Sequence, residues 1–347
     1  MSMNPQPAKR PRIDDGGMGQ HEGDSVVTQH PRFWFDDGNI ILQAGSTQFK
    51  VHRSILANKS QIFKDMFSLP QPVCSSRADP YAQSCPIVVL YDPPKDIENL
   101  LSLLYDTLKV HSFREGITIS VLDTMLRLGR KYRFQYLRAE AVHCLETEFP
   151  ATLDDWDIRT PFKYIKEEDT TLFAALYLAH EHSIKSILPS IYLSFGVQYI
   201  NNHIQKSLSL PEKRHVLKTN EPLSFFLGRE KLFSATSKVI LKFQEEIPSL
   251  DCDYETCISV AQRLVRRFLR DGIDNVFNFV FSHDFTANLK DELCPDCNQI
   301  RARHLDGARG KLWDALPKYF GLHTVVWDAS SDSSDDTDED ENSGGNE

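Results

Sequence analysis

The chain has 347 residues, enough for two ordinary domains, and 41% of them are apolar, so a sizeable core can form. Its formal net charge is −10, but residues 328–347 carry nine acidic residues and neither Lys nor Arg, which leaves −1 for the rest. A near-neutral body predicts no broad nucleic-acid surface, and no apolar run reaches the roughly 20 residues of a membrane helix.

Residues 1–31 are rich in Pro, Gly, Asp and Gln, and we predict that they form a disordered arm. The start of the arm is polar and does not resemble a secretory signal, so we expect a nuclear or cytoplasmic location. Lys9, Arg10 and Arg12 form a short basic cluster that a nuclear import receptor could bind. The alternative interpretation is a solvated basic patch.

The next segment has the pattern of a β-hairpin. Asp37-Gly38 marks a turn before an apolar run, Gly45-Ser46 marks a second turn, and the strand TQFKVH follows. Two short helices are predicted after it, one at about 53–58 and one with Ser60 as its N-cap.

Residues 69–86 have the composition of a loop, and the apolar, β-branched run at 87–92 predicts a buried strand. Pro94 can open the next helix. Amphipathic spacing predicts two further helices before Pro150 and an almost wholly helical region at 151–327. The acidic segment 328–347 repels itself and should stay unfolded.

Three segments in order resemble the BTB/POZ family: NIILQAGSTQFKVHRSILANKSQIFKDMF, IVVLYDPPKDIENLLSLLYDTLKV and MLRLGRKYRFQYLRAEAVHCL. The resemblance covers about 33–149, and we place the domain at 32–150. Residues 294–322 also look like a closing segment of uncharacterised fungal BTB-domain proteins.

The resemblance implies an α+β fold, a helical cluster flanked by a small β-sheet, followed here by an all-α C-terminal domain. It also implies a module for protein–protein interaction, often a homodimer, with no catalytic site. In many transcriptional members an Asp pairs with an Arg in the dimer groove. The corresponding residues are Asn39 and Arg53, so half of that charged pocket is missing. We expect His52 to hold the strand-to-helix turn by bonding local backbone.

Seven widely spread cysteines do not suggest a disulfide framework. Cys294 and Cys297 form a C-x-x-C motif, and Cys252 and Cys257 form a looser pair upstream. Four thiolates could hold tetrahedral zinc, with His304 as another possible ligand. We favour reduced, partly buried thiols and assign no metal and no cofactor.

No P-loop, H-E-x-x-H or G-x-S-x-G motif is present, so we do not expect an enzyme. We expect a non-catalytic protein that binds proteins, forms a homodimer through the BTB domain, and contacts neither nucleic acid nor membrane directly. One hypothesis is a nuclear co-regulator, and the alternative is a substrate adaptor for a cullin-type ubiquitin ligase.

Overall fold

The computed structural model describes residues 26–69, 85–106, 116–168, 171–198, 221–249, 252, 255–273, 276–281 and 287–322. These residues divide into two units. The sheet unit consists of the described residues up to His52 and of residues 85–94, and the helical unit consists of residues 53–69 and the described residues from Lys95 onwards. In the part of the chain that is described, no helix is both long and apolar enough to cross a membrane.

The sheet unit is a mixed four-stranded sheet in the order β1-β3-β2-β4. Its strands are β1 (Thr28–Trp34), β2 (Ile40–Ala44), β3 (Thr47–Val51) and β4 (Ile87–Leu90). The predicted hairpin is confirmed, because β2 and β3 pair antiparallel with Ile40 opposite Val51. Gly45 has φ +53° in the connecting turn, a conformation that glycine adopts without steric cost. The pairs β1–β3 and β2–β4 are parallel.

Two expectations about this unit need correction. The predicted arm at 1–31 is too long, because its last four residues already lie in β1. The strand at 87–92 is shorter than predicted and is not buried as a whole, since Leu90 is buried but Val89 is exposed. An apolar run shows that a strand can form, but it does not show that both of its faces will be covered.

The helical unit begins with five helices: α1 (Arg53–Lys59), α2 (Gln61–Ser68), α3 (Pro94–Tyr105), α4 (Ile119–Lys131) and α5 (Gln135–Glu148). Two predicted helix starts are confirmed. Pro94 opens α3, and the Ser60 hydroxyl caps α2 by accepting the Phe63 N–H at 3.1 Å. The same hydroxyl donates to the Tyr132 carbonyl at 2.5 Å, which fixes the start of α2 to the end of α4.

Among the described residues after Pro150, the regular elements are helices, apart from an isolated β-bridge between Ile165 and Ile117, and the predicted fold class is confirmed. Leu223–Phe226 and Leu232–Phe243 belong to one 26-residue helix. The helices are α6 (Leu153–Ile158), α7 (Thr171–Glu181), α8 (Leu188–Gln198), α9 (Glu221–Glu246), α10 (Glu255–Asp271), α11 (Val276–Phe281), α12 (Ala287–Lys290), α13 (Pro295–Arg301), α14 (Gly307–Asp314) and α15 (Leu316–Tyr319).

Aromatic side chains form much of the core of this region. The Phe277 and Phe320 rings stack with centroids 6.3 Å apart. Trp156 and Trp313 lie 5.5 Å apart, and the Trp313 indole N–H donates to the Ala151 carbonyl at 2.9 Å. The segment that follows Pro150 is therefore bonded into the C-terminal helices. The division at 150/151 stays a prediction.

Candidate functional site

The best candidate for a protein-binding surface in the sheet unit is the face of β4 that carries its exposed apolar side chains. Ile87 and Val89 of β4 and Tyr91, directly after its end, alternate along the chain and are 38%, 54% and 94% exposed. Among the described strands, β4 is an outer strand of the sheet. Exposed apolar side chains on an outer strand are a common basis for pairing with another chain. The sequence did not reveal this alternation, because Val88 and Leu90 between these residues are apolar as well.

Arg53, one of the two predicted dimer-groove residues, opens α1 in the helical unit. Its guanidinium donates to the Phe67 carbonyl at 2.5 Å and lies 5.2 Å from the centroid of the Phe67 ring. Phe67 is in the last turn of α2, where carbonyl groups lack helical partners and favour a cation. Arg53 therefore closes the α1–α2 pair. A role in self-association stays a prediction.

Asn39, the other predicted groove residue, precedes β2 in the sheet unit. Its backbone N–H donates to the Val51 carbonyl at 2.9 Å, and the residue is exposed. An exposed side chain at the end of a hairpin is accessible to a partner, and its role in a dimer groove also stays a prediction.

His52 has a carboxylate partner that sequence reasoning missed. Its Nε2 lies 3.1 Å from Asp37 Oδ2, and its ring centroid is 5.3 Å from that of Phe35. The His52 side-chain hydrogen bond lowers the pKa of the Asp37 carboxyl. The pair joins the turn before β2 to the end of β3. Asp37 was recognised only as a turn residue, because nothing in its spacing indicates the partner.

The structure brings together the four cysteines of the two sequence pairs. Cys252, Cys257, Cys294 and Cys297 place their sulfur atoms within 4.8 Å of one another. Cys294 is the N-cap of α13, and its Sγ accepts the Cys297 N–H at 3.4 Å, which lowers the pKa of the Cys294 thiol. Burial raises the pKa of Cys297. A hydrogen bond favours the thiolate, whereas burial disfavours it.

His304, the other possible ligand, lies elsewhere. Its Nε2 is 2.8 Å from Glu246 Oε2, and this hydrogen bond lowers the pKa of the Glu246 carboxyl. The candidate set is therefore four sulfurs without an imidazole.

A groove of about 440 Å³ lies beside α6 in the helical unit. Two of its polar side chains make structural contacts: Thr152 caps α6 through the Asp155 N–H, and the Arg159 guanidinium lies 3.7 Å from the centroid of the Trp156 ring. These contacts use capping and cation–π geometry rather than a nucleophile–base pair. That the chain is not an enzyme stays a prediction.

Lys9, Arg10 and Arg12 of the predicted import signal, and the acidic segment 328–347, lie outside the described residues.

Residues 36–148 match the family model of the BTB/POZ domain. No curated protein and no solved structure gives a significant match to the chain. The matched range agrees with the extent of the segments on which the resemblance rests. It contains Asn39 and Arg53 and ends before the four-cysteine cluster.

Proposed function

We propose that this chain, whose residues 36–148 form a BTB/POZ domain, acts as a non-catalytic interaction protein that self-associates through that domain. BTB/POZ domains are protein-interaction modules, and this coarser role follows from the match itself. The finer proposal rests on one observation, the exposed apolar row formed by Ile87 and Val89 on an outer strand and by Tyr91 directly after it. A partner that covers this row removes apolar area from water, and each Å² buried contributes about 25 cal/mol of favourable free energy.

Light scattering during gel filtration of the full chain tests self-association. We expect a dimer for the wild type and a monomer for Val89→Lys, because a lysine on an outer strand opposes edge-to-edge pairing. Ile158→Lys is the matched control, since Ile158 is 80% exposed but lies in α6 of the helical unit. A wild type that stays monomeric, or a Val89→Lys variant that dimerises like the control, would contradict the proposal.

We further propose that the protein works in the nucleus as a co-regulator. The basic cluster of Lys9, Arg10 and Arg12 and the acidic segment 328–347 support this location and role. A fluorescent fusion should be nuclear, and replacing the three basic residues with alanine should make it cytosolic. Exclusion of the wild-type fusion from the nucleus would contradict the location. Affinity purification from the same cells tests the role, and recovery of a cullin would favour the adaptor alternative.

A further inference from the structure

Four cysteines from two distant parts of the chain meet in the helical unit, outside the BTB/POZ domain. Cys252 lies in the connection between α9 and α10, and Cys257 lies in the first turn of α10. Cys294 caps α13, and Cys297 lies in its first turn. The C-x₄-C and C-x₂-C spacings are those with which structural metal sites take two ligands from each of two local segments.

The sulfur positions fit a tetrahedral ion. With zinc–sulfur bonds of about 2.3 Å, the sulfurs of a tetrahedral site lie about 3.8 Å apart. Cys294 Sγ and Cys252 Sγ are 3.6 Å apart, and all four sulfurs lie within 4.8 Å of one another. Bringing the most distant pair to a tetrahedral edge therefore requires a shift of about 1 Å or less.

The surrounding backbone also suits thiolate ligands. The Cys294 N–H donates to Cys257 Sγ and the Cys297 N–H donates to Cys294 Sγ, each at 3.4 Å. Donors aimed at ligand sulfurs orient them and stabilise the charged form that binds metal. Cys257 and Cys297 are buried, whereas Cys294 is partly exposed and offers a side from which an ion can enter.

We propose that Cys252, Cys257, Cys294 and Cys297 bind one structural Zn²⁺ ion that fastens the start of α10 to the start of α13. Four sulfur donors exclude Ca²⁺ and Mg²⁺, which take oxygen ligands. Four protein ligands leave no open position for substrate, so the site is structural rather than catalytic. The sequence alone favoured reduced thiols, because spacing does not give the distance between the Cys252–Cys257 and Cys294–Cys297 pairs. The structure places the sulfurs of both pairs within 4.8 Å of one another and favours the metal site.

Metal analysis of the full chain tests this site. The protein is purified through a tag without histidines and without chelator, and its metals are measured by mass spectrometry. We expect about one zinc per chain in the wild type and a loss of most of it in the double variant Cys252→Ser, Cys294→Ser, since serine does not supply the thiolate ligand. Cys85→Ser is the matched control, because its hydroxyl can keep the bond that Cys85 donates to the Gly38 carbonyl. The control should retain the wild-type zinc content.

A second measurement uses only the wild type, in case the double variant does not fold. Cobalt replaces zinc after chelation, and tetrahedral thiolate coordination should give intense visible d–d absorption and sulfur-to-cobalt charge-transfer bands. A mercurial that blocks thiols should release the zinc into a metal-sensitive dye. Metal-free protein with four free thiols or with disulfides among these cysteines, iron in place of zinc, or full zinc retention in the double variant would overturn the proposal.

Discussion

Asp157 and Arg309, which are 152 positions apart in the sequence, form a bidentate ion pair. Arg309 Nη1 lies 2.6 Å from Asp157 Oδ2, and Nη2 lies 2.5 Å from Oδ1. The Arg309 Nε also donates to the Val280 carbonyl at 3.0 Å. Both side chains are largely shielded from solvent. This pair fixes α6, the first helix after the BTB/POZ domain, to α14.

Because paired, shielded bidentate bonds are among the stronger polar contacts, Asp157 and Arg309 should be energetically coupled. A double-mutant cycle with Asp157→Ala and Arg309→Ala should give a coupling of about 2 kcal/mol in chemical denaturation. The control is a cycle on Lys95 and Glu98, which are 2.9 Å apart but more exposed. That surface pair should give less than about 0.5 kcal/mol. Equal couplings for the two pairs would show that the bidentate geometry adds nothing.

Ser60 stabilises two parts of the helical unit at once. Ser60→Ala removes the cap from the Phe63 N–H and leaves the Tyr132 carbonyl without this donor. We expect a loss of about 2 kcal/mol in the free energy of unfolding, more than for a cap alone. Ser68→Ala is the control, because the Ser68 hydroxyl bonds the Lys64 carbonyl on an exposed part of the same helix. A loss no larger than that of Ser68→Ala would mean that the bond to Tyr132 contributes nothing.

The features that sequence predicted are those with local causes. A serine directly before an apolar helical period identified the α2 cap, and Pro94 identified the start of α3, because both signals act within one helical turn. The hairpin of β2 and β3 followed from turn chemistry at Gly45 in the same way.

The features that sequence did not predict depend on distant neighbours. Cys252 and Cys294 are 42 positions apart, and their 3.6 Å separation results from how the helices between them pack. The exposure of Val89 depends on what covers β4, which its own β-branched side chain does not determine. The candidate site was therefore visible as residue types, whereas its geometry required the fold.

Glu148 should make stability depend on pH. It is a buried carboxyl that accepts the Phe162 N–H at 2.7 Å and lies 3.5 Å from Arg159 Nη1. Burial raises its pKa, and the bond from Phe162 and the charge of Arg159 only partly oppose this rise. Above the unfolded pKa of about 4.3, the unfolded chain releases this proton before the folded protein does. The free energy of unfolding should therefore fall as pH rises towards the folded pKa.

Glu148→Gln tests that dependence, because glutamine keeps an acceptor for Phe162 but does not titrate. The difference in the free energy of unfolding, variant minus wild type, should increase as pH rises from the unfolded pKa of Glu148 towards its folded pKa. This trend does not depend on which of the two proteins is more stable. Urea denaturation at a series of pH values measures the change. Glu181→Gln, at the exposed end of α7, is the control. The same pH profile for both variants would contradict the prediction.

Two helix glycines allow aromatic rings to approach the backbone, and their substitution should be costly. A Cβ at Gly196 would lie 1.8 Å from Phe277 Cδ2, and one at Gly228 would lie 2.2 Å from Phe320 Cδ1. Alanine at either position must displace a buried ring, so we expect a loss of about 2 kcal/mol or more in the free energy of unfolding. Gly310→Ala is the matched control in α14, because a Cβ there meets no atom within 4 Å. It should stabilise the protein by up to about 1 kcal/mol, since alanine has the higher helix propensity. Thermal and urea denaturation should show a lower free energy of unfolding for the Gly196 and Gly228 variants and a higher one for the Gly310 variant. Stabilisation by Gly196→Ala would show that the Phe277 ring does not pack against this helix as described.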